Sequence, residues 1–522
     1  MGDVSFDHQG RRIQGMRMQN TGDVYAVNGW EAMPYDNHSG IVDIYRNCKG
    51  NPSTFTYYTQ PLYVAVSPRT QFVHLPGKVP VDFYIVNEKN LSGKYRLSVF
   101  VCTPDGKEGK HIEKEVHITG GDCFGQLLLE NCQLEIEGAS GLYQVKAQLR
   151  NASGHLCAEG KDEVLGIYWD EKQLKGKGAL YGTPDDPVAT FYQKATGSEL
   201  PAFRSDMEKL DWIVVTRSSL DAPQPVPVEA FCQKEGKSVL ELSLYRDDDL
   251  RALAGVTQDN KIDRTFADGA QPDPLLPANQ SFSAIWDGKL KAPQSGTYMI
   301  GVTSDQGMRL SVNGQRIVDE WRNNKELTVV RPFLLKAGDE VAVRVEYSQR
   351  NPTGSVQLVW SLPDHAAIAP QELLDRVKED GTSLLLLKSA ESWMDAVSAY
   401  TGSAYHGYYS VGKNWVGGVH FVKEHPLFNG LPVNVAMGWP YQALVRNGDR
   451  RLGLHIDNEE LVAGSYGSAP FNLGSAVGII SCGKGKIYYS TLDLVDNLNN
   501  PAAAADVARK LFCNFILLSK DR

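Results

Sequence analysis

Short stretches in which apolar and polar residues alternate recur along much of this chain. Residues 79–85, 97–101 and 143–149 each place an apolar or aromatic side chain at every second position. Turn sequences such as Thr103-Pro-Asp-Gly106 separate these runs. Because the side chains of a β-strand point alternately to the two faces of a sheet, this period favours half-buried strands. Residues 61–168 therefore predict a β-sandwich of short strands.

Two other regions combine continuous apolar runs with helical patterns. Residues 210–215 and 384–387 are apolar almost throughout, which is typical of a strand that is covered on both faces. Residues 188–195 and 506–513 carry apolar side chains at helical spacing. We interpret residues 229–242 as a helix that leads into a further strand. This alternation of strands and helices predicts an α/β domain with a parallel sheet.

A second β-rich segment lies between the two α/β regions. Its predicted strands are residues 298–303, 308–312, 326–335, 340–347 and 355–360. Asn313-Gly314 predicts a tight hairpin, because a type I′ turn needs two residues with positive φ. A chain of 522 residues is long enough for several domains. The predicted fold class is therefore multidomain, mixed β and α/β, with a β module inserted into the α/β domain.

Composition excludes several classes of partner. The net charge of −9 and the absence of a long Lys/Arg block argue against a nucleic-acid partner. The eight cysteines are scattered and form no Cys-x-x-Cys pair, which argues against a structural zinc site. No apolar run approaches the roughly 18 residues of a membrane span.

The inserted β module carries a series of spaced motifs. They include Phe282-Ser-Ala-Ile-Trp286-Asp-Gly288, Ser304-Asp-Gln-Gly307 and Leu358-Val-Trp360. Their order and spacing resemble the protective-antigen-type β-barrel domain, which we assign to residues 263–365. In that family the domain is often carbohydrate-binding, so the resemblance implies a carbohydrate partner.

The same resemblance implies candidate ligand-contacting residues. Some members of the family bind calcium through two adjacent aspartates in the loop that here contains Asp305 and Gln306. Calcium prefers several charged oxygen ligands, so one carboxylate is missing. Calcium at Asp305 is the one cofactor suggested, and the alternative is that Asp305 caps a turn. Trp286 and Trp321 are candidates for stacking on sugar rings, with burial in the strand core as the alternative.

The first fifty residues of the chain show no periodicity long enough to found a core. Within them, Gly40-Ile-Val-Asp-Ile-Tyr-Arg-Asn-Cys-Lys49 is similar to the closing stretch of the catalytic barrel in glycoside hydrolase family 2, the β-galactosidase type. Residues 1–60 are therefore predicted to be a barrel remnant. Asn87-Glu-Lys-Asn-Leu-Ser-Gly93 is similar to a turn of the immunoglobulin-like domains that follow the barrel. The resemblance implies an immunoglobulin-like sandwich over residues 61–168.

The second α/β region contains the segment His425-Pro-Leu-Phe-Asn-Gly-Leu-Pro432 and a predicted strand that begins at Gly483. In these segments the α/β regions resemble a flavodoxin-like, amidotransferase-like domain found in some bacterial family 2 enzymes. The resemblance assigns residues 169–262 and 366–522 to one such domain. The turn after residues 384–387 has no cysteine, so an active amidotransferase triad is not expected.

Cleavage of a glycosidic bond requires two carboxylates, about 5–5.5 Å apart in a retaining enzyme. Asn87-Glu88 and Asn458-Glu459 repeat the family's Asn-Glu dipeptide, but outside its structural context. Glu31 and Trp30 are candidates for lining a sugar cleft, since rim loops of such barrels contact ligands. The alternative is that Trp30 packs at a domain interface. No catalytic residue is assigned, and enzymatic activity stays open.

Together these patterns predict a non-catalytic C-terminal region of a glycoside hydrolase that supports the barrel and binds carbohydrate. Its partners would be carbohydrate and an upstream catalytic barrel or a second copy of the chain. A stand-alone carbohydrate-binding, adhesin-like protein is the alternative, and an esterase or amidase in the last domain is a third hypothesis. The resemblance suggests a periplasmic or extracellular location.

Overall fold

The computed structural model describes residues 2–20, 40–43, 45–121, 124–183, 185–220, 223–234, 237–238, 240–363, 370–410, 419–445, 452–467 and 472–520. The described chain is mostly β-structure, arranged in several sheets, with few helices. This confirms the coarse prediction of a multi-sheet, β-rich chain. The chain divides into two compact units, one made of Met1–Arg217 with Pro370–Arg522 and the other of Ser218–Ala369.

Helices are concentrated in the first unit. Its α-helices are Gly2–Gln19, Ser53–Thr59, Pro187–Thr196, Pro370–Asp375, Met394–Thr401, Gln442–Val445, Leu494–Asn497 and Asp506–Leu518. The residue that precedes Pro187 caps its helix, because the carboxylate of Asp186 accepts a hydrogen bond from the Val188 N–H. Among the described residues, no helix combines the length and apolar character needed to cross a bilayer.

The N-terminal helix corrects the expectation that the first fifty residues lack periodic structure. Residues Gly2–Gln19 form an 18-residue helix, and its buried side chains include Phe6, Ile13 and Arg17. Its buried stripe mixes glycine and polar residues with apolar ones, so the apolar signal of an amphipathic helix is weak. The hydrophobic pattern therefore did not predict this helix, although the helix packs against the rest of the unit.

Two antiparallel sheets follow the N-terminal helices and enclose a common core. The smaller sheet contains Leu62–Pro68, Gly77–Asn87 and Gly125–Ile136, and the larger contains Phe72–His74, Leu156–Ile167, Gly141–Arg150, Gly93–Cys102 and Ile112–Ile118. Only the short strand Phe72–His74 pairs in parallel, with Leu156–Ile167. The alternating residues Val81, Phe83 and Val145 are fully buried between the sheets. Burial on one face explains the period of two in the sequence.

A mixed ten-stranded sheet completes the first unit. Its strands are Val435–Ala436, Val419–Val422, Glu460–Gly467, Asn472–Cys482, Gly485–Ser490, Ser383–Leu386, Trp212–Val215, Gly178–Tyr181, Tyr405–Ser410 and Leu452–Ile456. Trp212–Val215 pairs in parallel with both Gly178–Tyr181 and Ser383–Leu386. Both faces of this strand are buried, which agrees with its continuous apolar run.

Two antiparallel sheets enclose the core of the second unit, which also contains a two-stranded antiparallel pair, Gln233–Lys234 with Lys237–Ser238. The larger sheet contains Leu253–Asp259, Leu240–Tyr245, Phe282–Lys291, Glu340–Gln349, Gly307–Val312 and Gln315–Glu320, and the smaller contains Gln224–Pro225, Gly354–Ser361, Gly296–Ser304, Leu327–Leu335 and Asp263–Phe266. Leu310, Val345 and Leu358 are fully buried between them.

The interpretation of residues 229–242 as a helix leading into a parallel strand is wrong. The segment contains a short turn of 3₁₀-helix at Val228–Ala230, and the strand Leu240–Tyr245 runs antiparallel to both of its neighbours. Leu240, Leu242 and Leu244 all point into the core of the second unit. Apolar residues do alternate in this segment, but the local sequence does not determine which strands it pairs with.

Candidate functional site

Several loops of the second unit meet at one end of its sheets, which we call the loop end. It comprises residues 246–252, 267–281, 304–307, 321–326 and 349–353. Arg350 joins three of these loops, because its Nε lies 3.0 Å from an Asp248 carboxylate oxygen and its guanidinium donates to the Trp321 carbonyl at 2.7 Å. The loop end is therefore a connected structure and not a set of independent turns.

A cleft of about 630 Å³ opens in the loop end beside Arg350. Residues 263–272, 279–282 and 349–352 line it. Its volume lies within the range of about 300–1,000 Å³ that is usual for small-molecule sites. We name this feature the cleft and treat it as the candidate binding site.

Aromatic side chains support the wall of the cleft. The Phe266 ring stacks on Tyr347, with ring centroids 5.5 Å apart, and meets Phe282 edge-on at 5.0 Å. The Tyr347 hydroxyl donates to the Gln349 side chain at 2.7 Å. The Tyr347 hydroxyl packs directly against Gly354, where a Cβ would lie 2.2 Å from the hydroxyl oxygen and would force one of the two to move. These contacts fix the wall before any ligand arrives.

Most of the charges that line the cleft are paired with protein groups. Arg264 Nε lies 2.8 Å from an Asp259 carboxylate oxygen, and Arg350 is paired with Asp248 as described above. The Lys261 ammonium lies 3.0 Å from Asp263 and lowers the pKa of that carboxyl through their hydrogen bond. Fixed cations in the cleft are thus neutralised by fixed carboxylates.

Four other polar side chains of the cleft have no hydrogen-bond or ion-pair partner among the described residues. Asp268, Asn279, Gln280 and Asn351 are exposed and line the cleft. Their side chains make no hydrogen bond or ion pair with any residue that the structure describes. They are the groups in the cleft that a ligand can engage.

The Asp305 loop lies at the same end, but its side chains are committed to the fold. Asp305 Oδ1 accepts from the Ser355 N–H at 2.6 Å and lies 3.2 Å from the Ser355 hydroxyl. Gln306 is 3% exposed, donates to the Thr353 carbonyl and accepts from the Arg350 N–H. These bonds agree with a structural role in which Asp305 holds a turn.

The residues around Asp305 do not fit a calcium ion. Calcium takes six to eight oxygen ligands, several of them charged. The loop supplies one carboxylate, and the amide at residue 306 is buried in protein contacts. Among the described residues, no three His, Cys, Asp or Glu side chains are grouped to hold a metal ion. We derive no chemistry through calcium.

The tryptophans proposed for sugar stacking are covered by protein. Trp286 is fully buried and donates to an Asp259 carboxylate oxygen at 3.1 Å. Trp321 is 7% exposed, and the Arg309 guanidinium lies 4.3 Å from its ring centroid. Neither ring offers an open face in this structure. Trp30 and Glu31 lie outside the described residues.

Two glutamates singled out in the sequence also have structural partners. Glu88 forms an ion pair with Arg17 at 2.5 Å. Glu459 accepts hydrogen bonds from the hydroxyls of Ser475 and Tyr489, and burial raises the pKa of its carboxyl. The thiol of Cys482 is buried, and this burial raises its pKa and makes it a poor nucleophile.

The cleft residues lie in loops that carry no recognised motif, so their role could not be predicted from the sequence. Some signal was present, since Asp268-Gly269 and Asn351-Pro352 are turn sequences. Binding residues are often carried on loops held by a rigid scaffold. A turn sequence alone, however, does not reveal which other loops it will meet.

Comparison with known families gives a match for the second unit. Residues 236–373 match the sequence profile of the PA14 domain. This match agrees with the motifs read between Phe282 and Trp360. A curated relative, the anti-sigma-I factor RsgI3 of Acetivibrio thermocellus, is 29% identical over 117 residues, which are 22% of this chain and 18% of that protein. The chain thus covers less than two thirds of this relative.

Solved structures with a detectable likeness belong to several kinds of protein. A β-glucosidase from Kluyveromyces marxianus has 16% identity and a TM-score of 0.23, over 43% of this chain and 29% of its own. An anti-sigma factor domain-containing protein from Clostridium clariflavum has 16% identity and a TM-score of 0.23, over 58% and 94%. The Epithelial Adhesin 9 A domain of Candida glabrata has 11% identity and a TM-score of 0.20, over 29% and 92%. At these TM-scores we transfer no function.

These findings overturn the resemblance to glycoside hydrolase family 2. The profile match is to the PA14 domain, and the curated relative is an anti-sigma-I factor. Short motif matches such as residues 40–49 mislead when the surrounding structure is unknown.

Proposed function

We propose that the second unit is a carbohydrate-binding module and that the cleft at its loop end holds the glycan. The observation that carries this proposal is a preformed cleft with unused amide groups, located in a segment that matches the PA14 domain. Side-chain amides both donate and accept hydrogen bonds, as sugar hydroxyls do. We favour a carbohydrate-binding, adhesin-like role in which no bond is cleaved.

Binding of the full chain to a glycan array, followed by calorimetry on the best ligands, tests this function. Asn351→Ala removes one unused amide from the cleft and should weaken binding about 3- to 10-fold, the value of one hydrogen bond. Gln315→Ala is the matched control, because it removes an exposed amide from the hairpin at the opposite end of the same sheet. Binding that is absent on every glycan, or equal in both variants, would reject the proposal.

We also propose a finer description of the domains. Residues 61–168 would be an immunoglobulin-like sandwich, 169–217 with 370–522 a flavodoxin-like α/β domain, and 218–369 the PA14-like unit. The Tyr143 hydroxyl supports the first assignment, since it lies 2.7 Å from the Ala139 carbonyl and 3.0 Å from that of Glu137. A tyrosine that bonds back to the preceding backbone is characteristic of such sandwiches. The parallel pairing of the central strands supports the second assignment.

A further inference from the structure

We infer that the cleft takes an uncharged glycan and discriminates against glycans that carry carboxylates. The inference rests on the proposed carbohydrate-binding function and adds a ligand class to it. It depends on which charges in the cleft are free and which are already paired.

The cations of the cleft are not available to an acidic sugar. The side chain of Arg264 lies 2.8 Å from Asp259 and 3.9 Å from Asp273. Arg350 is held by Asp248 at 3.0 Å and donates a second bond to a backbone carbonyl. A carboxylate on the ligand would have to compete with fixed protein carboxylates for either guanidinium. Such sites gain specificity by leaving the wrong ligand without a partner.

The one unpaired charge at the cleft has the opposite effect. Asp268 is exposed and lines the cleft, and it has no ion-pair partner among the residues that the structure describes. Its carboxylate would repel a uronic acid or a sialic acid placed in the cleft. Placing like charges opposite each other weakens the binding of the acidic ligand and leaves the neutral ligand unaffected, so it contributes to specificity.

The uncharged groups of the cleft complement hydroxyls. Asn279, Gln280 and Asn351 each present an amide with two donor hydrogens and one acceptor oxygen. A neutral sugar can satisfy both kinds of group without burying a charge. An ionised sugar would lose part of its hydration and gain no cation in return.

Ligands paired by the presence or absence of a carboxylate charge test the inference on the full chain. We would measure the affinity of oligosaccharides of glucose, galactose and xylose, and compare oligogalacturonate with its fully methyl-esterified form. We expect neutral ligands to bind and the esterified chain to bind more tightly than the acidic chain. Acidic ligands that bind as tightly as neutral ones, or more tightly, would overturn this inference and leave the carbohydrate-binding function intact. If neither class binds, both proposals fail.

A charge-removing variant then tests the role of Asp268. Asp268→Asn should shift the ratio of neutral to acidic affinity by about two- to fivefold toward the acidic ligand, the range for one exposed charge pair. The shift should shrink in high salt, because exposed charges are screened. Glu340→Gln is the control, since it removes an exposed carboxylate at the opposite end of the sheet. An unchanged ratio in Asp268→Asn, or an equal shift in the control, would remove Asp268 from the explanation.

Discussion

Buried polar side chains join segments of the first unit that are distant in sequence. Arg17 is 3% exposed, donates to the carbonyls of Tyr58 and Gln60 at 2.7 and 3.0 Å, and pairs with Glu88. Its guanidinium also lies 5.5 Å from the Tyr63 ring centroid. The Asn-Glu dipeptide that resembled a catalytic motif is therefore accounted for by an ion pair with the N-terminal helix.

Replacing Arg17 should destabilise the first unit. Arg17→Ala leaves the carbonyl of buried Tyr58 and that of half-buried Gln60 without this donor, and we expect a loss of about 2–4 kcal/mol. Urea unfolding followed by circular dichroism measures this loss in the transition of the first unit. Glu88→Gln is the comparison variant, because it keeps both backbone bonds of Arg17 and changes a side chain that is 47% exposed, so its loss should be the smaller of the two. Equal losses in the two variants would contradict this account of the backbone contacts.

His425 makes the stability of the first unit depend on pH. Its Nδ1 accepts from the Leu427 N–H at 3.1 Å and caps the turn Pro426–Phe428. Burial lowers the pKa of His425, although Glu460 opposes the shift. The unfolded chain therefore binds the proton first, near pH 6.5. The contribution of neutral His425 to stability is complete above pH 6.5, and it is lost as the pH falls through the lowered pKa of His425 in the folded chain.

Unfolding midpoints between pH 7.5 and pH 5 test this dependence. We expect the midpoint of the first unit to fall across this range and His425→Asn to fall less. Asparagine also accepts a hydrogen bond at a helix N-terminus but does not titrate there. The same slope in both proteins would exclude His425 as the source.

At the scale of whole elements, the N-terminal helix shows why part of the fold could not be predicted. Its buried positions include Gly2, Gly10 and Gln14 beside the apolar ones. Gly10 lies against the Tyr58 ring, where a Cβ would be 2.0 Å from a ring carbon. Close approach of this kind selects glycine, which carries no hydrophobic signal. The buried residues of this helix therefore have helical spacing, but too few of them are apolar for the spacing to be recognised in the sequence.

Two glycine substitutions in this helix should act in opposite directions. Gly10→Ala forces the Tyr58 ring to move, and we expect a loss of about 1–3 kcal/mol from overpacking. Gly15→Ala meets nothing within 4 Å and should gain about 0.5–1 kcal/mol, because alanine favours the helix. Thermal unfolding of both variants measures the difference. A gain in both would show that the helix does not pack on Tyr58.

Strands were easier to predict than their partners. The alternating runs at Gly77–Asn87 and Glu340–Gln349 form strands because one face is buried and the other is not. The run at Leu240–Tyr245 alternates equally well, yet its antiparallel pairing was missed. Strand periodicity is local, whereas pairing is decided by residues far along the chain. The cleft was missed for the same reason, because it forms only where the loops 267–281 and 349–353 meet beside the strand Asp263–Phe266.

For the whole molecule, the boundaries of the second unit decide which piece of the chain can fold alone. Leu240–Tyr245 lies between Leu253–Asp259 and Phe282–Lys291 in the larger sheet. Leu240, Leu242 and Leu244 are at most 2% exposed and belong to the core. At about 1.5–3 kcal/mol for each buried leucine, their loss is comparable with the stability of an entire domain, about 5–15 kcal/mol.

A fragment of residues 218–369 should therefore fold alone, whereas residues 263–365, the span read from the motifs, should not. An antiparallel bridge between Leu220 and Pro363 brings the two ends of the longer fragment together. We expect dispersed NMR amide signals, a cooperative thermal transition and glycan binding from the longer fragment, and none of these from the shorter one. A cooperative transition in the shorter fragment would show that Leu240–Tyr245 is dispensable, and the second unit would then begin after it.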